Sequence, residues 1–208
     1  EYIGLDFEMA FIKDMSDIMQ METAMLRYVM EYVREHYAEE IKMLNAEIPV
    51  IKDIPSVTFF EALDILGREH NRFDLDPTDE VKLCEYAKKE FDSDFIFVTK
   101  FPGRKRPFYA MDSPDDANLA ESFDLLFRGL EITTGGQRIH DYNKLMEKIA
   151  KRGMETEGME SYLSAFKYGM PPHGGLGIGL ERLTMQLIGE DNVREATLFP
   201  RDLSRLEP

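Results

Sequence analysis

The segment 124–138 carries the residue types in this chain that are best suited to chemistry. It contains Asp124 and Glu131, seven positions apart, and it ends in Arg138. Two carboxylates on one face of a sheet suit a hard divalent cation, which prefers oxygen ligands. An arginine beyond them suits a carboxylate or phosphate, because its planar guanidinium can donate two parallel hydrogen bonds. The segment therefore predicts a cation site beside an anion site. The alternative is two solvated acids on an edge strand and an unrelated arginine.

The spacing of these residues sets a condition on the backbone. In an unbroken strand, side chains an odd number of positions apart point to opposite faces, so Asp124 and Glu131 would be separated. We predict a bulge at 128–129 that adds one residue and brings both carboxylates to one face. The spacing of Glu131 and Arg138 is also odd, so an unbroken strand would point these two side chains to opposite faces as well. We expect the double glycine 135–136 to bring them to one face, because glycine tolerates positive φ.

A second motif lies at 171–182, which reads Pro-Pro-His-Gly-Gly-Leu-Gly-Ile-Gly-Leu-Glu-Arg. Glycines allow the backbone to approach a flat ligand closely, and the start of a helix favours anions. The pattern from Gly177 through Gly179 to Arg182 is weak by itself. It gains specificity from the residues before it and from the apolar run 183–188 after it. The chain has no Gly-x-x-x-x-Gly-Lys-Ser/Thr loop, and the third glycine of the dinucleotide fingerprint is missing.

Together these motifs resemble the catalytic domain of class II aminoacyl-tRNA synthetases, most closely aspartyl-tRNA synthetases of the archaeal and eukaryotic type. Segment 1–11 is similar to the end of that family's second signature motif. Segments 199–202 and 205–208 are similar to its closing part. The resemblance covers the whole chain. It implies that residues 1–208 are the C-terminal part of the catalytic domain, with the anticodon-binding domain and the start of the catalytic domain absent.

The resemblance implies an aspartate–tRNA ligase. Aspartate reacts with ATP to give aspartyl-adenylate and pyrophosphate, and the aspartyl group then passes to tRNA. The expected cofactor is magnesium, the expected partners are ATP, L-aspartate and tRNA, and the intact enzyme is expected to be a cytoplasmic homodimer with no membrane or DNA partner. The alternatives are an asparaginyl-tRNA synthetase, a related AMP-forming asparagine synthetase, or a synthetase-like regulator without catalysis. Asparagine-specific relatives usually carry Gly-Gly-Ser-Gln-Arg, whereas this chain has Thr-Thr-Gly-Gly-Gln-Arg, which favours aspartate.

By position in these motifs, the resemblance assigns a role to each candidate residue. The catalytic residues are Glu131 and Arg182, and Arg182 pairs with the γ-phosphate. Magnesium is expected at Asp124, Glu131 and Thr134. ATP is expected at Glu131, Gly179, Leu180, Glu181 and Arg182. Aspartate is expected at Arg138, Thr134 and Gln137, with no protein carboxylate in the fork of Arg138. Asp6 and Glu8 are expected to orient the amino acid, and His140 to support its pocket, with a surface histidine as the alternative. For His173, substrate contact and a place that only fills the glycine turn are both open.

The composition describes an ordinary globular protein, with 43% hydrophobic and 31% charged residues. The 25 basic and 40 acidic residues give a net charge of −15, which argues against a broad nucleic-acid surface. Contact with tRNA would then depend on a local basic patch or another domain. The single cysteine, Cys84, excludes an internal disulfide. No apolar run is long enough to span a membrane.

The pattern of elements predicts an α+β fold, a mostly antiparallel sheet flanked by helices. Alternating residues over 3–11 predict a strand with one buried face, and Asp6 and Glu8 share its other face. Apolar residues at three- and four-residue spacing predict a helix from Asp14 to about residue 45. Further predicted elements are helices at 59–66, 77–90, 141–151 and 158–168, a strand at 94–101, a basic turn at 102–107 and a return strand at 108–111. The basic turn is expected to be a solvated tip, and the alternative is a contact with tRNA.

Overall fold

The computed structural model describes residues 1–206, so Pro208 of the predicted closing motif lies outside the described residues. Six strands form one sheet in the order β1-β6-β5-β4-β3-β2. All neighbouring pairs are antiparallel except β2 and β3. The predicted α+β class with a mostly antiparallel sheet is confirmed. The strands are β1 Gly4–Ala10, β2 Ser56–Thr58, β3 Phe95–Thr99, β4 Ser122–Phe127, β5 Leu130–Arg138 and β6 His173–Gly179.

Helices flank the sheet, and several of them begin at polar side chains that cap the first turn. Asp14 accepts a hydrogen bond from the first turn of α1, and Thr58 and Asp76 each form a capping box. The predicted helix 14–45 is interrupted at Tyr37. The helices are α1 Met15–His36, α2 Ala38–Leu44, α3 Phe59–Leu66, α4 Pro77–Phe91, α5 Tyr142–Lys151, α6 Glu160–Lys167 and α7 Leu180–Ile188. Within residues 1–206, none of them combines the length and apolar character needed to cross a bilayer.

Two apolar clusters cover the two faces of the sheet unequally. On the back face, α1 packs against side chains of β3, β4, β5 and β6. On the front face, α3 and α4 pack against Ile96, Val98 and Leu126 of β3 and β4. The front of β5, β6 and β1 lies beyond that second cluster. Burial of apolar area fixes both layers, and the uncovered half of the front face is where a ligand can reach the sheet.

The segment 102–111 differs from its prediction. It forms a 3-10 turn, Gly103–Lys105, and a loop whose backbone pairs with the described strands at a single bridge, between Ala110 and Arg138. The return strand predicted at 108–111 is therefore wrong, and the antiparallel partner of β3 is β4. The basic turn is also not simply a solvated tip, because Arg106 is buried. The side chains of Phe108 and Met111 pack instead against the apolar cluster formed by α5 and α6.

Candidate active site

The segment 124–138 is a hairpin rather than one bent strand. Arg128 and Gly129 form its turn, with φ of 48° and 92°, so the bulge predicted at these two residues is wrong. The irregularity lies between Leu125 and Leu126, which pair with Thr133 and Glu131 and leave Ile132 as the extra residue. Ile132 and Thr133 are both buried.

This bulge brings the predicted residues to one face. Thr134 hydrogen-bonds to Glu131 and stands opposite Asp124 on the neighbouring strand. The prediction that Asp124 and Glu131 share a face is therefore confirmed, with the extra residue in β5. The pairing of Gly135 with Phe123 and of Gly136 with Ser122 is regular. The prediction that the double glycine brings Glu131 and Arg138 to one face is therefore wrong. The backbone N–H of Glu131 donates to Glu80 of α4 at 2.8 Å, which anchors the bulge.

The strand register arranges the front face in rows. The first row runs across four strands as Asp6, Gly177, Thr134 and Asp124. The second row runs as Glu8, Gly175, Gly136 and Ser122. The third brings His173 beside Arg138. The glycines of β6 thus lie in the middle of the front face, between the acidic side chains of β1 and Thr134 of β5.

The glycines of β6 leave room for the acidic side chains of β1. A Cβ atom at Gly177 would lie 2.7 Å from Oδ1 of Asp6, and one at Gly175 would lie 2.4 Å from Cδ of Glu8. Any larger residue would therefore displace a carboxylate. The result is a floor of backbone that a flat ligand can approach closely. We call Gly136, Gly175, Gly177 and Gly179 the glycine floor.

Two pockets open over the glycine floor. The first, the arginine pocket, has a volume of about 510 Å³ and is lined by Asp6, Glu8, Arg106, Tyr109, Gln137 and Arg138 among others. The second, the helix pocket, has a volume of about 730 Å³ and is lined by Glu131, Arg182, Arg194 and Arg201 among others. Thr134, Gly177 and Gly179 line both. The pockets therefore form one cleft with room for two ligands side by side.

Negative charge concentrates where the two pockets meet. Thr134 donates its hydroxyl to Glu131 at 2.9 Å. Burial raises the pKa of the Glu131 carboxyl, and the charge of Asp124 raises it further. Burial also raises the pKa of Asp124, but both of its oxygens accept hydrogen bonds from Arg106, at 2.9 and 2.6 Å, and these oppose the shift.

Magnesium fits the part of this donor set that faces the cleft. Glu131 and Thr134 offer a carboxylate and a hydroxyl, and Mg²⁺ commonly takes one or two carboxylates together with substrate phosphates. Among residues 1–206, no three His, Cys, Asp or Glu side chains are grouped so as to hold a metal by themselves. The role predicted for Asp124 as a third ligand stays a prediction that requires Arg106 to release it.

Arg182 lies in the first turn of α7, where the sequence predicts it. It donates to the backbone carbonyl of Glu131 at 2.7 Å, and the same nitrogen lies 3.8 Å from the carboxylate. Its side chain is half exposed and faces the helix pocket. Gly179 and Glu181 line the same pocket. The carboxylate of Glu181 accepts the backbone N–H of Ile3, so this side chain fastens the start of the chain to α7.

Arg138 faces the arginine pocket, but its guanidinium is already paired with a protein carboxylate. Its Nη2 donates to Glu8 at 2.7 Å, so the expectation that no protein carboxylate occupies this guanidinium is wrong. The guanidinium also lies 4.5 Å from the ring of Tyr109, a cation–π contact. Its Nε is buried and has no acceptor among the described residues. A buried donor without a partner is costly, and an anionic ligand would supply the acceptor.

The remaining candidates differ in how close they come to the cleft. Gln137 lines the arginine pocket. Leu180 lines neither pocket, and its backbone N–H donates to the carbonyl of Ile3. His140 is half-buried, and its Nδ1 has no partner among the described residues. Nδ1 of His173 lies 3.0 Å from the carbonyl oxygen of Pro171, in the turn before β6.

Sequence reasoning missed Arg106, Tyr109 and Glu80. Arg106 closes a basic run that was interpreted as exposed, and Tyr109 lies in the segment that was predicted to be a strand. Glu80 had no signal beyond its place in the first turn of α4. The tertiary fold brings all three to the site.

A comparison with protein families decides the affiliation. The family model described as tRNA synthetases class II (D, K and N) matches residues 1–203. The chain belongs to this family of class II tRNA synthetases. The resemblance read from the motifs at 124–138 and 171–182 is thereby confirmed.

Curated relatives of this class II synthetase chain carry aspartate in their names. It is 49% identical to an aspartate–tRNA(Asp/Asn) ligase of Thermus thermophilus, with all of the chain and 50% of that relative covered. It is 41% identical to an aspartate–tRNA(Asp) ligase of Pyrococcus furiosus, covering 99% of the chain and 48% of the relative. The chain thus spans about half the length of these relatives.

Solved structures share the synthetase fold. An aspartyl-tRNA synthetase from Entamoeba histolytica superposes with a TM-score of 0.91 at 35% identity, covering all of this chain and 44% of that one. An asparaginyl-tRNA synthetase from Pyrococcus horikoshii in complex with asparaginyl-adenylate superposes with a TM-score of 0.89 at 33% identity, covering all of this chain and 49% of that one. The fold is therefore shared by synthetases named for either amino acid.

Proposed function

We propose that the protein containing this chain activates L-aspartate with ATP and transfers the aspartyl group to tRNA. One observation in the structure carries the proposal. Arg138 faces one pocket, Glu131 and Arg182 face the other, and Gly177 and Gly179 of the glycine floor line both. A small dicarboxylic acid at Arg138 and ATP at Arg182 would meet over that floor. Family membership and the names of the relatives support the same function.

The chemistry requires positioning and charge neutralisation rather than a protein nucleophile. An oxygen of the α-carboxylate of aspartate attacks the α-phosphorus of ATP. The bond from that phosphorus to the bridging oxygen breaks, and pyrophosphate leaves. The reactants gain most from being held together in the right orientation. Arg182 and the glycine floor supply this orientation on the ATP side, and Arg138 supplies it on the amino-acid side.

We propose that Glu131 and Thr134 would hold a magnesium ion beside the ATP phosphates. Both side chains lie at the junction of the pockets and hydrogen-bond to each other at 2.9 Å. Magnesium, when bound, neutralises phosphate charge and polarises phosphate oxygens. Arg182 lies beside Glu131 and adds a second positive charge at the same place. We assign Arg182 to the γ-phosphate, and Gly179 and Glu181 to the adenine side.

On the amino-acid side, we propose that Arg138 holds the side-chain carboxylate of aspartate. The buried Nε of Arg138 needs an acceptor, and a carboxylate supplies one with charge assistance. Gln137 and Thr134 line the same pocket and complete its polar wall. Asp6 adds a negative charge that suits an ammonium group.

Asparagine is the second candidate, and one observation favours it. Glu8 already neutralises part of the charge of Arg138, so the pocket is less positive than the sequence predicts. The comparison with an asparaginyl-tRNA synthetase shows that this fold accepts that substrate class in another protein. Aspartate remains our assignment, because the two curated relatives described above are both named for it.

ATP–pyrophosphate exchange tests the proposed function. The full-length protein is incubated with ATP, labelled pyrophosphate and magnesium, with and without aspartate. We expect label in ATP only when aspartate and magnesium are both present. Absence of aspartate-dependent exchange in a folded full-length protein would contradict the proposal. Charging of tRNA(Asp) and of tRNA(Asn) with aspartate then shows which of the two tRNAs the protein accepts. One of the two relatives is named for both tRNAs and the other for tRNA(Asp).

We also propose, from the family resemblance, that the intact protein is a cytoplasmic homodimer and that the chain is the C-terminal part of its catalytic domain. Light scattering of the full-length protein after size-exclusion chromatography measures its oligomeric state. A mass of two chains supports the dimer, and a mass of one chain contradicts it.

A further inference from the structure

The space above Gly136 is a gap in the front face of the sheet. Gly136 lies between Thr134 and Arg138 on β5, and alternate residues of a strand share a face. A Cβ atom at Gly136 would lie 2.6 Å from the backbone oxygen of Glu121 and 2.8 Å from Cα of Ser122, so no side chain can fill this space. Gly136 lines the arginine pocket, and the gap is therefore open to a ligand that binds Arg138.

Two different side chains stand at the ends of the row that crosses this gap, Glu8 on β1 and Ser122 on β4. The carboxylate of Glu8 already pairs with Nη2 of Arg138. Ser122 lines the arginine pocket but is only 3% exposed, and its Oγ has no hydrogen-bond partner among the described residues. A buried hydroxyl without a partner is costly, and a ligand in this pocket would supply the partner.

The other unpaired polar atoms along this pocket are donors. Nη1 and Nη2 of Arg106 donate to Asp124, which leaves Nε of Arg106 buried and without an acceptor within residues 1–206. Nε of Arg138 is in the same state. A guanidinium nitrogen can only donate, and the hydroxyl of Ser122 can donate as well. A carboxylate offers only acceptors and suits these surroundings. Because Glu8 would repel it, we expect it on the β4 side of the gap.

We infer that Ser122 is a further substrate-binding residue, whose hydroxyl donates a hydrogen bond to the side-chain carboxylate of aspartate. This inference rests on the proposed function and deepens it, because it concerns the same amino acid. The carboxylate is then held from two strands, by Arg138 on β5 and by Ser122 on β4. Gly136 makes this possible, since a side chain at that position would occupy the place of the carboxylate.

Pyrophosphate exchange by the full-length protein tests this inference in Ser122→Ala, with the KM measured for aspartate and for ATP. We expect the KM for aspartate to rise by about 10-fold, because a hydrogen bond to a charged group is lost. The KM for ATP should stay within about twofold of wild type, since Ser122 does not line the helix pocket.

The matched control is Ser113→Ala, in the loop that precedes β4. Ser113 is also buried, at 4% exposure, and its hydroxyl also has no partner among the described residues. It lines neither pocket, so both KM values should stay at those of wild type. The two variants thus remove the same group from equally buried sites, of which only one lines the cleft.

A KM for aspartate within about twofold of wild type in a folded Ser122→Ala would overturn the inference. Equal increases in the two KM values would overturn it as well, because they would indicate a structural role. If Ser122→Ala does not fold, Ser122→Cys decides by the same criteria, since it nearly keeps the size of the side chain but is a weaker donor. Wild type is measured first, and absence of aspartate-dependent exchange there contradicts the proposed function itself, so the two failures are distinguished.

Discussion

Thr134 donates its hydroxyl to the carboxylate of Glu131, three positions earlier on the same strand, at 2.9 Å. In a regular strand two such residues point to opposite faces. The contact exists because Ile132 is an extra residue in β5. Glu80 of α4 accepts the backbone N–H of Glu131 and holds the bulge against the helix. The geometry of the proposed cation site therefore depends on one backbone irregularity.

Replacement of Glu131 by glutamine should slow aspartate-dependent pyrophosphate exchange by about 100-fold, or about 2.7 kcal/mol, because it removes the one free carboxylate of the cation site. The volume of the side chain barely changes, so the melting temperature should stay close to that of wild type. Exchange kinetics and thermal unfolding are measured together. The control is Glu147→Gln on the exposed face of α5. An exchange rate equal to wild type would exclude Glu131 from the site.

Replacement of Arg182 by alanine should raise the KM for ATP by about 10- to 100-fold, or about 1.4–2.8 kcal/mol, since it removes a charged hydrogen-bond donor facing the phosphates. The KM for aspartate should change by less than about threefold, because Arg182 lies in the other pocket. Steady-state exchange with each substrate varied in turn gives both constants. The control is the exposed Lys151→Ala. Equal increases in the two constants would indicate a structural role instead.

Much of this site could be predicted from the sequence because its signals are local. Capping residues, alternating strands and the glycine-rich approach to α7 fix elements through neighbours in the chain. The sequence also placed Glu131, Thr134, Arg138 and Arg182 at the cleft. The partners of these residues come from distant segments, and no local pattern contains them. Glu8 reaches Arg138 only because β1 pairs with β6.

Two predictions failed for the same kind of reason. The bulge was expected at 128–129 to correct the odd spacing of Asp124 and Glu131, but those residues form the hairpin turn. The segment 108–111 was expected to be the return strand after the basic turn, but Phe108 and Met111 pack against α5 and α6 instead. In both cases tertiary packing decided between two local structures that the same residues allow.

Glu22 of α1 predicts a pH dependence of stability. It is fully buried beneath β5, and burial raises the pKa of its carboxyl from the usual 4.5 to about 8, while the hydroxyl of Thr133 lowers it. Between these two values the folded protein keeps a proton that the unfolded chain loses. Stability should therefore fall as pH rises through this window, by up to about 1.4 kcal/mol per pH unit, and level off above it.

Urea unfolding from pH 5 to pH 9 measures this dependence in wild type and in Glu22→Gln. The amide stays neutral at every pH, so the variant should lose the downward slope between pH 5 and 8. The control Glu35→Gln removes an exposed acid of the same helix and should keep it. If wild type and Glu22→Gln show the same slope, Glu22 is ionised in the folded protein and its burial has another explanation.

Replacement of Arg138 by lysine should reduce aspartate activation by about 100-fold or more, because lysine keeps the charge but loses the planar fork and the cation–π contact with Tyr109. Asparagine activation should not rise appreciably. The KM for ATP should stay within about threefold of wild type, since ATP occupies the other pocket. A variant that keeps both the rate and the preference of wild type would show that Arg138 does not hold the substrate side chain.

The measurement that tests the central claim most directly is pyrophosphate exchange by the full-length wild-type protein with aspartate and asparagine side by side. The guanidinium of Arg138 offers only donors, so the donor amide of asparagine would face them without a partner, and the site should reject asparagine by a factor of about 10⁴ in kcat/KM. We predict exchange with aspartate and almost none with asparagine. Equal exchange with the two amino acids, or a preference for asparagine, would contradict the assignment of Arg138 and of aspartate as the substrate.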